Sequence, residues 1–223
     1  MLSNLPDPLL TAAILLAVGM LPFFALMVSS FTKIVVVLGL LRQALGTQQV
    51  PPNLVLNGIA IIVSVFIMAP VGSQAWENVK AKEHGAGFGR HFEDIAVVGE
   101  AIEEPIKGFL EQHINDRYRR FFIRAAREIW PRERADALRK DDLLVMIPSF
   151  TVTEISSAFQ IGFVLYLAFV VIDLVVGNIL LALGMSMTSP TLISVPFKLL
   201  LFVALDGWSR LLEALVLTYK TVH

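Results

Sequence analysis

Uncharged apolar runs and one densely charged stretch divide this chain. Residues 8–32, 43–76 and 174–197 contain no Asp, Glu, Lys or Arg, while 27 of the 37 such residues fall between 77 and 142. The first run includes LLTAAILLAVGMLPFFALMV, matching the ~20 apolar residues that take a helix across a bilayer. A cleavable signal peptide is the competing reading. Nothing basic precedes the run and no clear A-x-A site follows it, so a retained helix kinked at Pro22 is expected. The apolar IVVVLGLL then lies between Lys33 and Arg42, and Gly46 with Pro51-Pro52 marks a break. A second spanning helix is expected to begin after Pro52, since proline suits a first helical turn, and to end near Pro70.

In the third long run, Thr151-x-x-Glu154 reads as a capping box opening a helix that continues to about residue 183. Its thirty residues would measure roughly 45 Å against a hydrocarbon core of ~30 Å, so the helix must tilt or project beyond the lipid. Ser189-Pro190 supplies the cap and first turn of a last helix, interrupted at Pro196 and ending near residue 219. Within the charged stretch Ile106, Phe109, Leu110, Ile114, Tyr118, Phe121, Phe122, Ala125 and Ile129 recur at helical spacing. Arg117, Arg120, Arg124 and Arg127 fall three or four apart on the other side. That stripe reads as a solvated face, or as a contact for an acidic partner or lipid headgroups. Trp130-Pro131 ends the helix, and residues 83–90 (EHGAGFGR) read as loop.

Composition agrees with the pattern. Of the 223 residues 56% are apolar and 17% charged, against ~45–50% and ~25% in globular chains, and the mean hydropathy is +0.70. A net charge of −1 and a pI near 6.4 argue against nucleic-acid binding. The chain has no cysteine, which excludes disulfides and thiolate chemistry. His84, His91, His113 and His223 show no tight ligand spacing, so no metal is expected. No phosphate-binding loop, dinucleotide fingerprint, zinc-protease or nucleophile-elbow motif occurs. Glu103-Glu104 and Asp141-Asp142 read as solvated surface. Neither catalysis nor a cofactor is expected.

Lys33 and Arg42, in the connection between the first two hydrophobic segments, assign that side to the cytoplasm. A polar insert of this length can still face the periplasm, because loops longer than ~60 residues translocate largely regardless of charge. The expected fold is all-α: a multi-helix integral membrane protein with hydrophobic helical hairpins and a helical polar insert. Residues 1–76 form two hydrophobic segments with a cytoplasmic loop at about 32–53. Residues 77–148 form the periplasmic insert, and 149–223 a hydrophobic hairpin with a Met-bearing turn at 184–190.

Five ionisable residues stand in apolar surroundings: Lys33, Asp173, Lys198, Asp206 and Arg210. A charge at mid-bilayer costs ~2.5–3.5 kcal/mol even on the gentler insertion scale, so such groups face protein or a water-filled cavity. Asp206 and Arg210, four apart, are spaced to pair on one helix face. For Lys198 snorkelling to an interface is one reading, and for Asp173 a hydrogen-bonded structural role; a pore or subunit interface is the other. Met185 and Met187 occupy the turn between Gly184 and Pro190, where flexible thioethers either fill apolar gaps or close an opening.

Read in order, SSFTKIVVVLGLLRQALGTQQVPPN-x3-NG, SAFQIGFVLYLAFVVIDLVV, LLALGMSMTSP and ISVPFKLLLFVALDGW resemble the FliP/SctR family (YscR, HrcR and SpaP type) of the type III export apparatus. The resemblance covers about residues 20–75 and 147–217. It implies a bacterial inner-membrane, multi-pass subunit of an export gate that conducts unfolded proteins and does no chemistry of its own. It also implies a homo-oligomer, expected to be a pentamer, assembled with FliQ/SctS-type and FliR/SctT-type subunits and a FlhB/SctU-type switch protein. The turn then maps onto a pore gasket at Met185 and Met187, with Gly184, Pro190 and Pro196 as hinge or turn positions. Ser186 and Thr188 interrupt what is commonly a denser run of Met in the family. The lack of a cleavable signal resembles the injectisome branch more than the flagellar one. Two other functions fit the residues: a small-solute channel or transporter subunit, which the lack of an inverted repeat disfavours, and a membrane scaffold that nucleates assembly.

Overall fold

The computed structural model describes residues 8–83, 93–185 and 187–220, whose regular secondary structure is all helical, with no strand. The expected loop beyond Glu83, together with His84, His91, Ser186 and His223, lies outside the described residues. The helices are α1 (Pro8–Met27), α2 (Phe31–Ala44), α3 (Asn53–Glu83), α4 (Glu93–His113), α5 (Asp116–Ile129), α6 (Arg132–Asp136), α7 (Leu143–Ala182), α8 (Pro190–Ala204) and α9 (Gly207–Leu217). This is the all-α membrane protein that the hydropathy pattern predicts.

Two elements organise the rest. The first is α2, whose Ile34, Val37, Leu38, Leu41 and Ala44 are buried because helical spacing puts them on one wide apolar face. They meet Leu56 and Ala60 of α3, Ala158 and Phe169 of α7, Phe202 of α8, and Leu211 and Leu215 of α9 in one core. The second is α7, whose 40 residues extend about 60 Å at the α-helical rise. It packs against α2, α4, α5 and α8. A second core joins Phe109 and Leu110 of α4 to Met146 and Phe150 of α7 and to Tyr219.

Helix ends differ from expectation in four places, each for a local reason. The second spanning helix does not stop near Pro70. It continues to Glu83 with Pro70 inside it, and Ser73 Oγ donates to the Pro70 carbonyl. The third does not start at a capping box: α7 begins at Leu143 and passes through Thr151, whose hydroxyl donates back to the Ile147 carbonyl at 2.9 Å. Both α3 and α7 thus run through positions 76 and 148, where the polarity of the chain changes. The helical pattern over 106–129 is broken at Ile114-Asn115, because the Asn115 side chain accepts the Arg117 N–H at 2.9 Å and caps α5. Finally, α8 runs through Pro196 uninterrupted, and the break falls at Asp206, whose backbone is left-handed (φ 52°).

α3 and α7 are long and apolar enough to cross a membrane. Only 17% and 6% of their most apolar windows are buried within the chain, so neither is its buried core helix. Phe159, Phe163, Val164, Leu167, Val171 and Leu174 leave a continuous apolar wall on α7. Lipid or neighbouring subunits must cover a wall of that size.

Where α2 crosses α7 the backbones approach closely at Gly162. A Cβ there would lie 2.9 Å from Leu40 Cβ and 3.1 Å from Leu40 Cγ, atoms near the backbone with little room to yield. Gly162→Ala is therefore expected to destabilise by about 1–3 kcal/mol through overpacking. Gly39→Ala, where nothing lies within 4 Å, is expected to be neutral or slightly stabilising. Thermal melting of the two variants in one detergent checks the pair, and equal Tm losses would refute the close-approach argument.

Candidate functional site

Three charges buried in the apolar body are paired within the protomer. Lys33, near the start of α2, places Nζ 2.9 Å from Glu154 Oε1, with the two side chains 5% and 1% exposed. The Tyr219 hydroxyl donates to Glu154 Oε2. Lys33 Nζ also lies 4.1 Å from the centroid of the Tyr219 ring and 3.5 Å from Thr218 Oγ1. Burial, then the Glu154 charge beside it, pushes the Tyr219 phenol above its ordinary range, so it remains a proton donor to Glu154. One cluster thereby ties α2, α7 and the segment after α9 together. Lys33 is consequently no loop charge. Of the two residues that set the expected orientation, Arg42 is the one at a loop, donating to the Pro51 carbonyl at 3.1 Å and to Asn53 Oδ1 at 2.7 Å.

The second junction lies toward the other end of α2. Lys198 of α8, buried rather than snorkelling, reaches Asp173 Oδ2 of α7 at 2.6 Å and donates to the Ala44 carbonyl at 3.1 Å. Ala44 is the last residue of α2, where carbonyls lack helical partners and the helix dipole favours a cation. A single ammonium thus caps α2 and clasps α7 to α8. Asp206 and Arg210 do not form the expected pair. The exposed Asp206 carboxylate accepts from Ser209 Oγ at 3.0 Å, and Arg210 borders an apolar groove of about 700 Å³ between α7 and α8–α9.

The α7–α8 clasp leads to the methionine turn. α7 ends in a Schellman motif: the Gly184 N–H donates to the Leu181 carbonyl and the Met185 N–H to the Leu180 carbonyl. This motif needs a left-handed residue, which Gly184 supplies at φ +75°. The Thr188 N–H closes the turn onto the Met185 carbonyl at 3.2 Å, and Pro190 opens α8 as its first residue. Met187 at the tip is 100% exposed and Met185 44%. Two thioethers are thus held out on a turn whose backbone hydrogen bonds are made internally. Pro196 lies nearly two turns into α8 and shapes neither end of this loop.

Residues 14–215 match the FliP family. The chain belongs to that family. It is 53% identical over 95% of its length to "Pathogenicity-related ORF2" of Xanthomonas campestris pv. glycines, covering 96% of that protein. It is also 53% identical to the "Hypersensitivity response secretion protein HrcR" of Ralstonia nicotianae, over 92% of this chain and 94% of the other. With the "Yop proteins translocation protein R" of Yersinia pestis it shares 46% identity over 97% and 98% of the two chains. Proteins of this FliP group are type III secretion export proteins of the membrane, with virulence-related members. They belong to a secretion apparatus rather than to an enzyme family.

Sequence reasoning missed Glu154 and Tyr219. The signal was present for Glu154, the sole acid between Asp142 and Asp173, but a capping-box spacing absorbed it. Tyr219 carries no signal before the fold brings it to Glu154.

Removing one partner from a buried ion pair costs about 3–5 kcal/mol, while replacing both by apolar groups of similar volume is close to neutral. Glu154→Leu alone is expected to collapse the yield of folded protein, and Lys33→Met with Glu154→Leu to recover most of it. Size-exclusion recovery and thermal melting read the cycle; equal losses for single and double variants would show that the charges are not coupled. At Asp206, Gly or Asn is expected to preserve stability, whereas Val should cost about 1–2 kcal/mol at the left-handed backbone. A Val variant as stable as Gly would remove the conformational explanation.

Proposed function

We propose that this chain is a pore-forming subunit of the type III export gate, conducting unfolded proteins across the bacterial inner membrane. What carries the reading is the α7–α8 hairpin, which leaves Met187 fully exposed on a turn stiffened by its own hydrogen bonds. An apolar side chain held out in this way is unfavourable in an isolated protomer and is at home against like side chains from other copies. Thioethers are flexible and polarizable, so a ring of them can seal against ions and still adapt to a passing polypeptide. Met185 and Met187 are the gasket on this reading, with Gly184 and Pro190 holding the turn. The polar region 77–148 faces the periplasm, between hydrophobic regions 1–76 and 149–223.

The apolar wall of α7 calls for neighbours, which are further copies of this chain, expected to number five, together with FliQ/SctS-type and FliR/SctT-type subunits. A FlhB/SctU-type switch protein contacts the assembly from the cytoplasm. Lys33, Asp173 and Lys198 act inside each copy by holding the wall in shape, and Asp206 and Arg210, both exposed, remain for contacts between subunits.

Replacing Met185 and Met187 by Ala removes the thioethers while leaving the Gly184 turn intact. The resting gate is then expected to leak ions, raising membrane conductance severalfold, with assembly unchanged on a native gel. Unchanged conductance in a fully assembled complex would rule out the gasket.

A further inference from the structure

The polar insert carries opposite charge on two flanks of one helix. α4 contains six carboxylates (Glu93, Asp94, Glu100, Glu103, Glu104, Glu111) and one lysine. α5 contains five arginines and two carboxylates. Both helices pack on the first turns of α7: α4 through Phe109 and Leu110 onto Met146 and Phe150, α5 through Tyr118 Oη to Ser156 Oγ at 2.9 Å and the Asn115 N–H to Thr153 Oγ1 at 3.1 Å. The ion pair of Arg119 with Glu111, at 2.9 Å, marks the turn where α4 and α5 meet.

Arg119 is the buried arginine of α5. The other four, Arg117, Arg120, Arg124 and Arg127, share one exposed face and form no ion pair among the described residues. On α4, Glu104 and Glu111 lie two turns apart on one exposed face, Glu111 with both carboxylate oxygens held by Arg119. Surface charge arranged with opposite sign on two flanks is the pattern of a head-to-tail contact, in which each copy offers one flank and receives the other. Such charges fix register and partner choice more than they add affinity.

A membrane fits the arginine stripe less well. The start of α5 contacts Thr153 and Ser156, while Ala126, Ile129 and Trp130 lie with Leu144 and Val145 around one small cavity. α5 therefore runs antiparallel beside α7, and its arginines line up along the axis of a helix that continues into the apolar span. A cationic helix that binds headgroups lies across that axis, in the plane of the interface.

We infer that the α5 arginine face of one copy docks on the α4 carboxylate face of the next. This rests on the oligomeric gate reading above and adds to it which surfaces meet. The chain has no cysteine of its own, so disulfide trapping in membranes tests it directly. With Glu104→Cys and Arg124→Cys in the same chain, oxidation is expected to give a ladder of covalent multimers, and either substitution alone only monomers. Arg124→Glu in the otherwise unaltered chain is expected to lower oligomer recovery on a native gel roughly three- to fivefold, and Glu104→Arg added to it to restore recovery. Dimers from Arg124→Cys alone would replace the head-to-tail contact with a like-face one and overturn the inference. Absence of the ladder in a complex that still migrates as an oligomer would overturn it too, leaving the gate reading standing. A chain that stays monomeric with its partner subunits present would defeat both.

Discussion

The buried pair of Lys33 and Glu154 is the constraint on which the fold depends. Two charges removed from water are tolerated only when they meet each other and their remaining hydrogen-bonding capacity is met. Here Tyr219 takes the second carboxylate oxygen and its ring lies against the ammonium. Satisfying both charges requires α2, α7 and the end of the chain to converge on one place, and that convergence brings the second core around Phe109, Phe150 and Tyr219 together. Apolar packing alone would not select this arrangement. In lipid an aliphatic face gains little by choosing protein over acyl chain, so helix association there relies on close packing and polar contacts.

Lys198 does the equivalent work toward the far end of α2. Because it bonds both Asp173 and the last carbonyl of α2, the α7–α8 hairpin is anchored to the core a few turns below its tip. The tip is closed by its own backbone hydrogen bonds, so its position follows from the clasp. This gives the methionine turn a stiff support inside a protomer whose outer wall is unfinished. The same α7 that supplies Asp173 and Glu154 leaves Phe159, Phe163 and Leu167 uncovered. The polar side of α7 packs within the chain, and its apolar side is left for lipid or a neighbouring subunit to cover.

Much of this was readable before the fold was known. The uncharged runs located the apolar helices, while the polarity changes near 76 and 148 fall inside α3 and α7 rather than at helix ends. Gly184 and Pro190 marked the turn because a left-handed residue and a helix-opening proline are local requirements that local residues meet. Ion partners were not readable. Thr151 and Glu154 have the spacing of a capping box, a local motif, and nothing nearby shows that Glu154 instead answers a lysine 121 positions earlier. Asp206 and Arg210 have the spacing of a pair, yet the chain turns left-handed at Asp206 and carries its carboxylate to Ser209.

By itself the sequence determined what depends on near neighbours and on summed composition: helical content, membrane character, the overlong third segment, the chemistry of the turn, and four ordered blocks that mark the family. Tertiary structure alone decided which charges meet, where Pro70 and Pro196 would be tolerated inside helices, and which faces stay open. Those outcomes depend on desolvation and on contacts between residues far apart in the chain. A buried charge states only that it needs a partner, and the fold decides which one it gets.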